Sequence, residues 1–232
     1  MRVLYEDNHI IIVNKSAREI VQGDKTGDTP LCDLVKQYLK EKYNKPGNVF
    51  VGVTHRLDRP VSGIVIFAKT SKALERLNTM FRDGSVKKIY WAITKNAPEH
   101  DCGELDGWIV RNEKMNKSFL YPKEVPGSKH ARLRYRHVSK SQNYNLIEVE
   151  LMTGRHHQIR CQLSAVGCPI KGDLKYGASR SNPDGSISLH ARSVEFVHPV
   201  SKLQISVTAP VPNDKLWRDF EDNMPESAES VL

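Results

Sequence analysis

The chain of 232 residues is poor in cysteine: Cys32, Cys102, Cys161 and Cys168 form no C-x-x-C pair and show no metal-ligand spacing. Reduced, buried thiols are expected, not a disulfide frame or a zinc site. Long apolar runs are also missing. The longest, "IIIV" and "GIVIFA", are far too short to span a bilayer, and no charged-then-apolar leader opens the chain, so a cytoplasmic, membrane-free protein is expected. There is no internal repeat, no Gly-rich phosphate loop and no "DFG", which removes a kinase reading of the tetrapeptide "HRLD". Positive charge is in surplus. Lys and Arg number 35 against 27 Asp and Glu, a net +8, which favours polyanionic partners and above all nucleic acid, although an unspecialised basic surface would give the same total.

An apolar content of 39% with 27% charged residues suits one domain that folds alone, expected over residues 1–220, with the acidic end from 221 to 232 as a frayed tail. "VLY" and "IIIVN" around "EDNH" read as a hairpin. "PLCDLVKQYLKEKY" carries apolar residues at helical spacing, with Thr29 as N-cap, and "KPGN" ends it. Strands are expected at 49–53, 63–68 and 87–95, and a helix from Thr70 or Ser71 to Gly84. Residues 96–128, rich in Pro, Gly, Asn, Glu and Lys, read as loops and short pieces. "ARLRYRHV" alternates strictly and sets Arg132, Arg134 and Arg136 on one face, Leu133, Tyr135 and His137 on the other. It pairs with "NLIEVELM", where Glu148 and Glu150 are expected outward. Thr153 would then cap a helix whose Ile159, Leu163 and Val166 face the core. "ISLHA", "SVEFV" and "LQISVTA" read as three strands and "KLWRDF" as a closing helix. Strands without regular β-α-β alternation predict an α+β fold on a largely antiparallel central sheet with flanking helices.

Asp58 sits in "HRLDRPVSG", a loop between two apolar strands in which Pro60 and Gly63 forbid regular structure. A nucleophilic carboxylate must stay ionised while partly desolvated, which calls for a nearby cation: Arg56, Arg59 or an Arg from elsewhere. The plainer alternative is an Asp that caps its own turn. Five cations and no acid over 129–140 can track phosphates, or serve as a solvated edge. "GRHHQIR" brings Arg155, His156, His157 and Arg160 to a helix start, which favours an anion or a buried acid. Adjacent His residues point about 100° apart, so they do not make a metal site. Tyr90 in "KIYWAI" can stack on a base or serve the core.

Together "HRLDRPVSG", "KKIYWAI", "LMTGRHHQIR", "PIKGDLKYG" and "LHARSVEFVHP" resemble the successive motifs of the RluA family of RNA pseudouridine synthases, over nearly the whole chain. The resemblance implies isomerisation of uridine to pseudouridine in ribosomal or transfer RNA, with neither cofactor nor metal. Carried over by motif, Asp58 is the nucleophilic carboxylate. Arg56 helps extrude the nucleotide, Tyr90 stacks on the flipped uracil, Arg160 pairs with Asp58, and Leu189 walls the base. Arg155, Arg132, Arg134 and Arg136 become RNA contacts. Where the family has an "NKPxG"-like segment this chain has "NKSAR", with Ser16 and Arg18 in place of Pro and Gly, and Val61 stands where Thr is usual. With a strand expected from residue 3, recognition falls to the catalytic domain itself, acting as a monomer. The competing class is an RNA-binding module of the same fold without catalysis.

Overall fold

The two most apolar segments of the sequence become neighbouring strands. In the computed structural model, which describes residues 1–24 and 26–224, β1 (Arg2–Glu6) and β2 (Ile10–Lys15) form the expected hairpin. β2 then pairs antiparallel with β4 (Ser62–Ala68), Ile10 opposite Ala68 and Lys15 opposite Gly63. Every residue of β4 is buried, as a strand covered on both faces requires. The chain divides into two compact units, Met1–Lys87 with Arg192–Pro210, and Lys88–Ala191 with Val211–Leu232.

In the first unit, α1 (Leu31–Lys42) buries Leu31, Val35 and Leu39. Its N-cap is Pro30, not Thr29, because the extended Pro30 already turns the chain and Leu31 and Cys32 donate to Ile20 and Val21 carbonyls. β3 is only Gly52–Val53, shorter than the expected 49–53. A Cβ on Gly52 would lie 2.8 Å from Leu74, so its bare backbone lets the next helix approach. That helix, α2 (Ser71–Asp83), runs as its sequence signals: the Thr70 hydroxyl accepts from Ala73 N at 3.2 Å, and Gly84 ends it at φ 81°. Leu77 of α2 is fully buried, so truncation to Ala costs about 2–5 kcal/mol.

The second unit is a run of antiparallel pairs. β5 (Lys87–Thr94) pairs with β9 (Asn145–Leu151), β9 with β8 (Lys129–Lys140), β8 with β6 (Cys102–Asn112), and β6 with β7 (Lys117–Tyr121). β6 and β7 lie where loops and short pieces were expected. Only Gly107 and Ile109 of β6 are buried, so it lacks a continuous apolar stripe, and its strand state comes from pairing on both edges. α3 spans Gln158–Ala165, and "ISLHA" and "SVEFV" merge into one strand, β10 (Leu189–Val197), which pairs with β11 (Gln204–Thr208) in the first unit. α4 (Lys215–Asp222) is capped by Asp214 and sets Trp217 and Phe220 against Trp91, Ile93 and Leu146. Of the tail expected over 221–232, the first two residues belong to α4 and 225–232 lie outside the described residues.

The mixture of α-helices and mainly antiparallel strands is the α+β class read from the sequence. Cys32, Cys161 and Cys168 are free and buried, whereas Cys102, at the start of β6, is free and exposed. No helix among the described residues is long and apolar enough to cross a membrane.

Candidate active site

The Asp58 loop is held at both ends by side chains that replace missing ladder bonds. Just past β3, the Thr54 hydroxyl donates to Ile66 O at 2.7 Å and Ile66 N donates to His55 Nε2 at 3.0 Å. Two side chains thus satisfy the β4 backbone where the strand pairing stops. His55 also packs on Phe81, ring centroids 4.6 Å apart, and Leu57 is buried. Val61 N then donates to Asp58 O at 3.0 Å, closing a turn over Arg59 and Pro60. Asp58 itself is half-buried and Arg56 is exposed.

The cation that closes on this loop is Lys15, at the end of β2. It is fully buried, and its Nζ donates to Val61 O at 2.6 Å, Ser16 O at 2.9 Å and Arg59 O at 3.2 Å. Three ammonium donors meet three carbonyls. Burial pulls this ammonium down to about 8, opposed by the negative charges of Glu19 and Asp58 and aided by Arg59. Arg59, one of the cations expected to serve Asp58, turns its guanidinium to Asp28 (2.7 Å), the Thr26 hydroxyl (2.6 Å) and Asp24 (3.5 Å).

The departures from the family pattern are accommodated here. Arg18, where Gly is usual, adopts φ 76°, a left-handed conformation that costs a non-glycine residue about 1–2 kcal/mol, and its N–H donates to Arg59 O at 2.7 Å. Ser16, where Pro is usual, has an N–H to use and gives it to Glu19 Oε2 at 2.7 Å. Val61 in place of Thr is buried, and its backbone serves both the turn and Lys15.

In the second unit Arg160 is buried on α3 and grips Asp173 with two bonds, Nε to Oδ2 at 2.6 Å and Nη2 to Oδ1 at 2.9 Å. The Tyr176 ring lies under the guanidinium at 5.1 Å. The Tyr176 hydroxyl lies 3.0 Å from His157 Nδ1 and accepts from Ser118 N at 2.7 Å. Burial, with the neighbouring charges of Arg160, His156, Lys175 and Arg111, takes His157 down to about 2, so its ring is neutral at any working pH. Burial likewise pushes the Tyr176 hydroxyl up to about 12.

"TGRHH" is not the first turn of α3, contrary to the sequence expectation. Gln158 Oε1 accepts from Thr153 Oγ1 at 2.8 Å and from Arg155 N at 3.0 Å, and His157 at φ 53° forms the N-cap. The loop before the helix is therefore closed by Gln158 instead of a Thr cap. Arg155 Nε donates to His130 O at 2.7 Å, and the two His rings stack at 3.8 Å. Val166, expected in the core, is 43% exposed because α3 ends at Ala165.

Tyr90 on β5 is buried and stands in a row with Val149 and Tyr135, on the sheet face opposite Trp91. Leu189, the first residue of β10, is buried. The arginine face of β8 is not an open cationic row. Arg132 bonds Glu104 through Nε, Arg134 lies between Glu104 (3.4 Å) and Glu150 (3.9 Å), and Arg136 Nη2 donates to Glu148 at 2.8 Å. Glu148, expected outward, is buried and also accepts from Trp91 Nε1 at 3.2 Å. Among the described residues no group of three or more His, Cys, Asp or Glu could hold a metal ion.

Asp58 lies in the first unit, Tyr90, Arg160 and Leu189 in the second. The roles of Asp173 and Tyr176 went unread in the sequence although "KGDLKYG" contains both.

Residues 9–165, which include the Asp58 loop, Tyr90 and Arg160, match the family described as RNA pseudouridylate synthase. The chain belongs to that family. Among its relatives is ribosomal large subunit pseudouridine synthase D of Zymomonas mobilis, 30% identical over 92% of this chain and 70% of that protein. Another is ribosomal large subunit pseudouridine synthase C of Vibrio cholerae, 29% identical over 90% of this chain and 65% of that protein. This chain thus spans about two thirds of their length. The structure of human RNA pseudouridylate synthase domain containing 4 superposes with a TM-score of 0.78 at 24% identity, covering 91% of this chain and 89% of that one, a likeness of fold. With the family comes the enzyme class: an RNA pseudouridine synthase, an isomerase.

Proposed function

We propose that this chain converts specific uridines in folded RNA to pseudouridine, with Asp58 as the carboxylate that acts at the anomeric carbon. The reaction breaks N1–C1′, turns the retained base and forms C5–C1′; C5 loses its proton and N1 gains one. A stacked uridine cannot be reached, so the nucleotide must be extruded at a cost of a few kcal/mol. Arg56, exposed in the same loop, is suited to fill the vacated stack. Tyr90 takes the face of the flipped uracil, Leu189 supplies an apolar wall, and Arg160 keeps Asp58 ionised.

The observation that carries this reading is the setting of Asp58: a half-buried carboxylate on a loop whose backbone is fixed on both sides, inside the family-matched segment. Exposed cations and Arg155 would hold the phosphates, while Arg132, Arg134 and Arg136 must exchange Glu partners for phosphate to contribute. The names of the relatives favour ribosomal RNA as the substrate, with transfer RNA as the second class to assay.

Tritium release from C5-labelled uridine in RNA tests the proposal. The native chain should release label and Asp58→Asn should release none. If the native chain binds RNA but releases no label from ribosomal or transfer RNA, it is a binding module of the same fold.

A further inference from the structure

The end of α1 is closely fixed although every residue from Glu41 to Asn48 is exposed. Asn44 takes a left-handed φ of 48°, its N–H donates to Glu41 O at 3.3 Å, and Lys45 N donates to Lys40 O at 3.0 Å, the paired closure that stops a helix and sets where the next side chains leave it. Tyr43, at the C-cap, gives its hydroxyl to Glu6 Oε1 at 2.8 Å. The ring is thus held at its backbone and at its tip, yet Tyr43 is 47% exposed.

Cations gather round this ring. Lys69, Lys42 and Lys45 bring their Nζ atoms to 4.9, 5.4 and 5.8 Å from its centroid. Glu6 accepts from Lys42 at 2.7 Å and from Lys69 at 2.9 Å. Burial would raise its carboxyl, but the bonds from Lys42, Lys69, Tyr43 and Tyr38 outweigh this and hold it at about 2. Three ammonium groups against one carboxylate leave a positive surplus beside a half-open aromatic ring. Phe50, equally exposed, lies two residues before Gly52, which pairs with Ala68, and Lys69 follows Ala68. Both rings are therefore tied to the same end of the sheet in the first unit. Clamping Glu6 accounts for Tyr38, Lys42 and Lys69. It does not call for Lys45, for the open part of the Tyr43 ring, or for Phe50, whose exposure forgoes the gain of burying a phenyl group.

We propose that Tyr43 and Phe50, with Lys42 and Lys45, form a docking surface for an unpaired stretch of the RNA substrate, separate from the nucleotide that is modified. Flat rings take any base by stacking while ammonium groups meet the phosphates, and a base inside a duplex has no free face to offer. Eight residues separate Phe50 from Asp58, so the two lie at most about 29 Å apart along the chain, a span that one folded RNA can bridge. The proposal rests on RNA as the substrate and not on the role given to Asp58.

Fluorescence anisotropy with a labelled single-stranded oligouridine, and with an RNA duplex of the same length, tests it. Tyr43→Leu and Phe50→Ala should each weaken binding of the single strand about 10-fold and leave the duplex almost unchanged, whereas Tyr43→Phe, which keeps the ring and drops the Glu6 bond, should bind as the native chain does. Lys45→Ala should reduce the slope of log affinity against log salt by about 0.7, the share of one phosphate on a single strand. With RNA as substrate the ring variants should raise KM and keep kcat, as a contact made equally before and during the reaction requires.

Native affinity for oligouridine in either ring variant would overturn the proposal. Equal weakening of strand and duplex would do the same, since the surface would then contact phosphates alone. Polyglutamate offers charge without a base: if it displaces oligouridine and binds as tightly, the surface serves an acidic protein segment and the RNA assignment is wrong. If Tyr43→Leu fails to fold, Phe50→Ala and Lys45→Ala, which break no bond to Glu6, decide. Lost strand binding in these variants of a chain that releases no label from C5-labelled uridine would keep the docking surface and remove the catalytic reading of Asp58.

Discussion

Lys15 and Arg160 are both buried cations, one in each compact unit, and they are neutralised in opposite ways. Arg160 holds a carboxylate by two parallel bonds, and an aromatic ring lies beneath it. Lys15 bonds only to backbone carbonyls, with carboxylates acting at longer range. The guanidinium is a permanent charge with a fixed counter-ion, whereas the ammonium can be discharged by alkali. A rigid orientation suits the first arrangement and a fixed backbone suits the second.

Breaking the guanidinium pair should have the largest effect. Asp173→Ala removes both of these bonds from a buried guanidinium and should cost about 3–5 kcal/mol in urea unfolding. A loss below about 1 kcal/mol would mean that another group takes over. Next comes His157, which sits beside the Arg160 charge and is neutral when folded. Its folded value lies below its unfolded one, so the stability it contributes is present above about 6.5 and declines as pH falls. The slope from this group should approach about 1.4 kcal/mol per pH unit, and His157→Gln should flatten it.

Lys15→Met should cost less, about 1–2 kcal/mol, since the orphaned carbonyls are partly offset by sparing the ammonium its desolvation. A loss as large as that of Asp173→Ala would erase the distinction between the two sites. Arg18→Gly should have the smallest effect. Relief of the left-handed φ is partly cancelled by the greater freedom of unfolded glycine, leaving a gain below about 1 kcal/mol in thermal unfolding.

The sequence was legible where local signals and burial agree. β2 and β4 are dense apolar runs, and α2 has both Thr70 to start it and Gly84 to stop it. β6 was illegible because its strand state depends on charged partners far along the chain: Glu104 and Asp106 lie opposite Arg134 and Arg132 of β8. The same pairing hid the character of the arginine face, since a period of two gives the face but not the acids beside it. Thr153 failed as a helix cap because the Gln158 side chain closes the preceding loop itself. The motifs singled out Asp58, Tyr90 and Arg160 as candidates. They could not reveal that Arg59 is committed to Asp24 and Asp28, or that Asp173 holds Arg160.

The most direct test of the role of Asp58 is to incubate unmodified ribosomal RNA with the native chain and with Asp58→Asn, then map pseudouridines by carbodiimide modification. Discrete new pseudouridines with the native chain, and none with a folded, RNA-binding Asp58→Asn, is the expected result. Equal modification by both proteins would contradict a chemical role for that carboxylate.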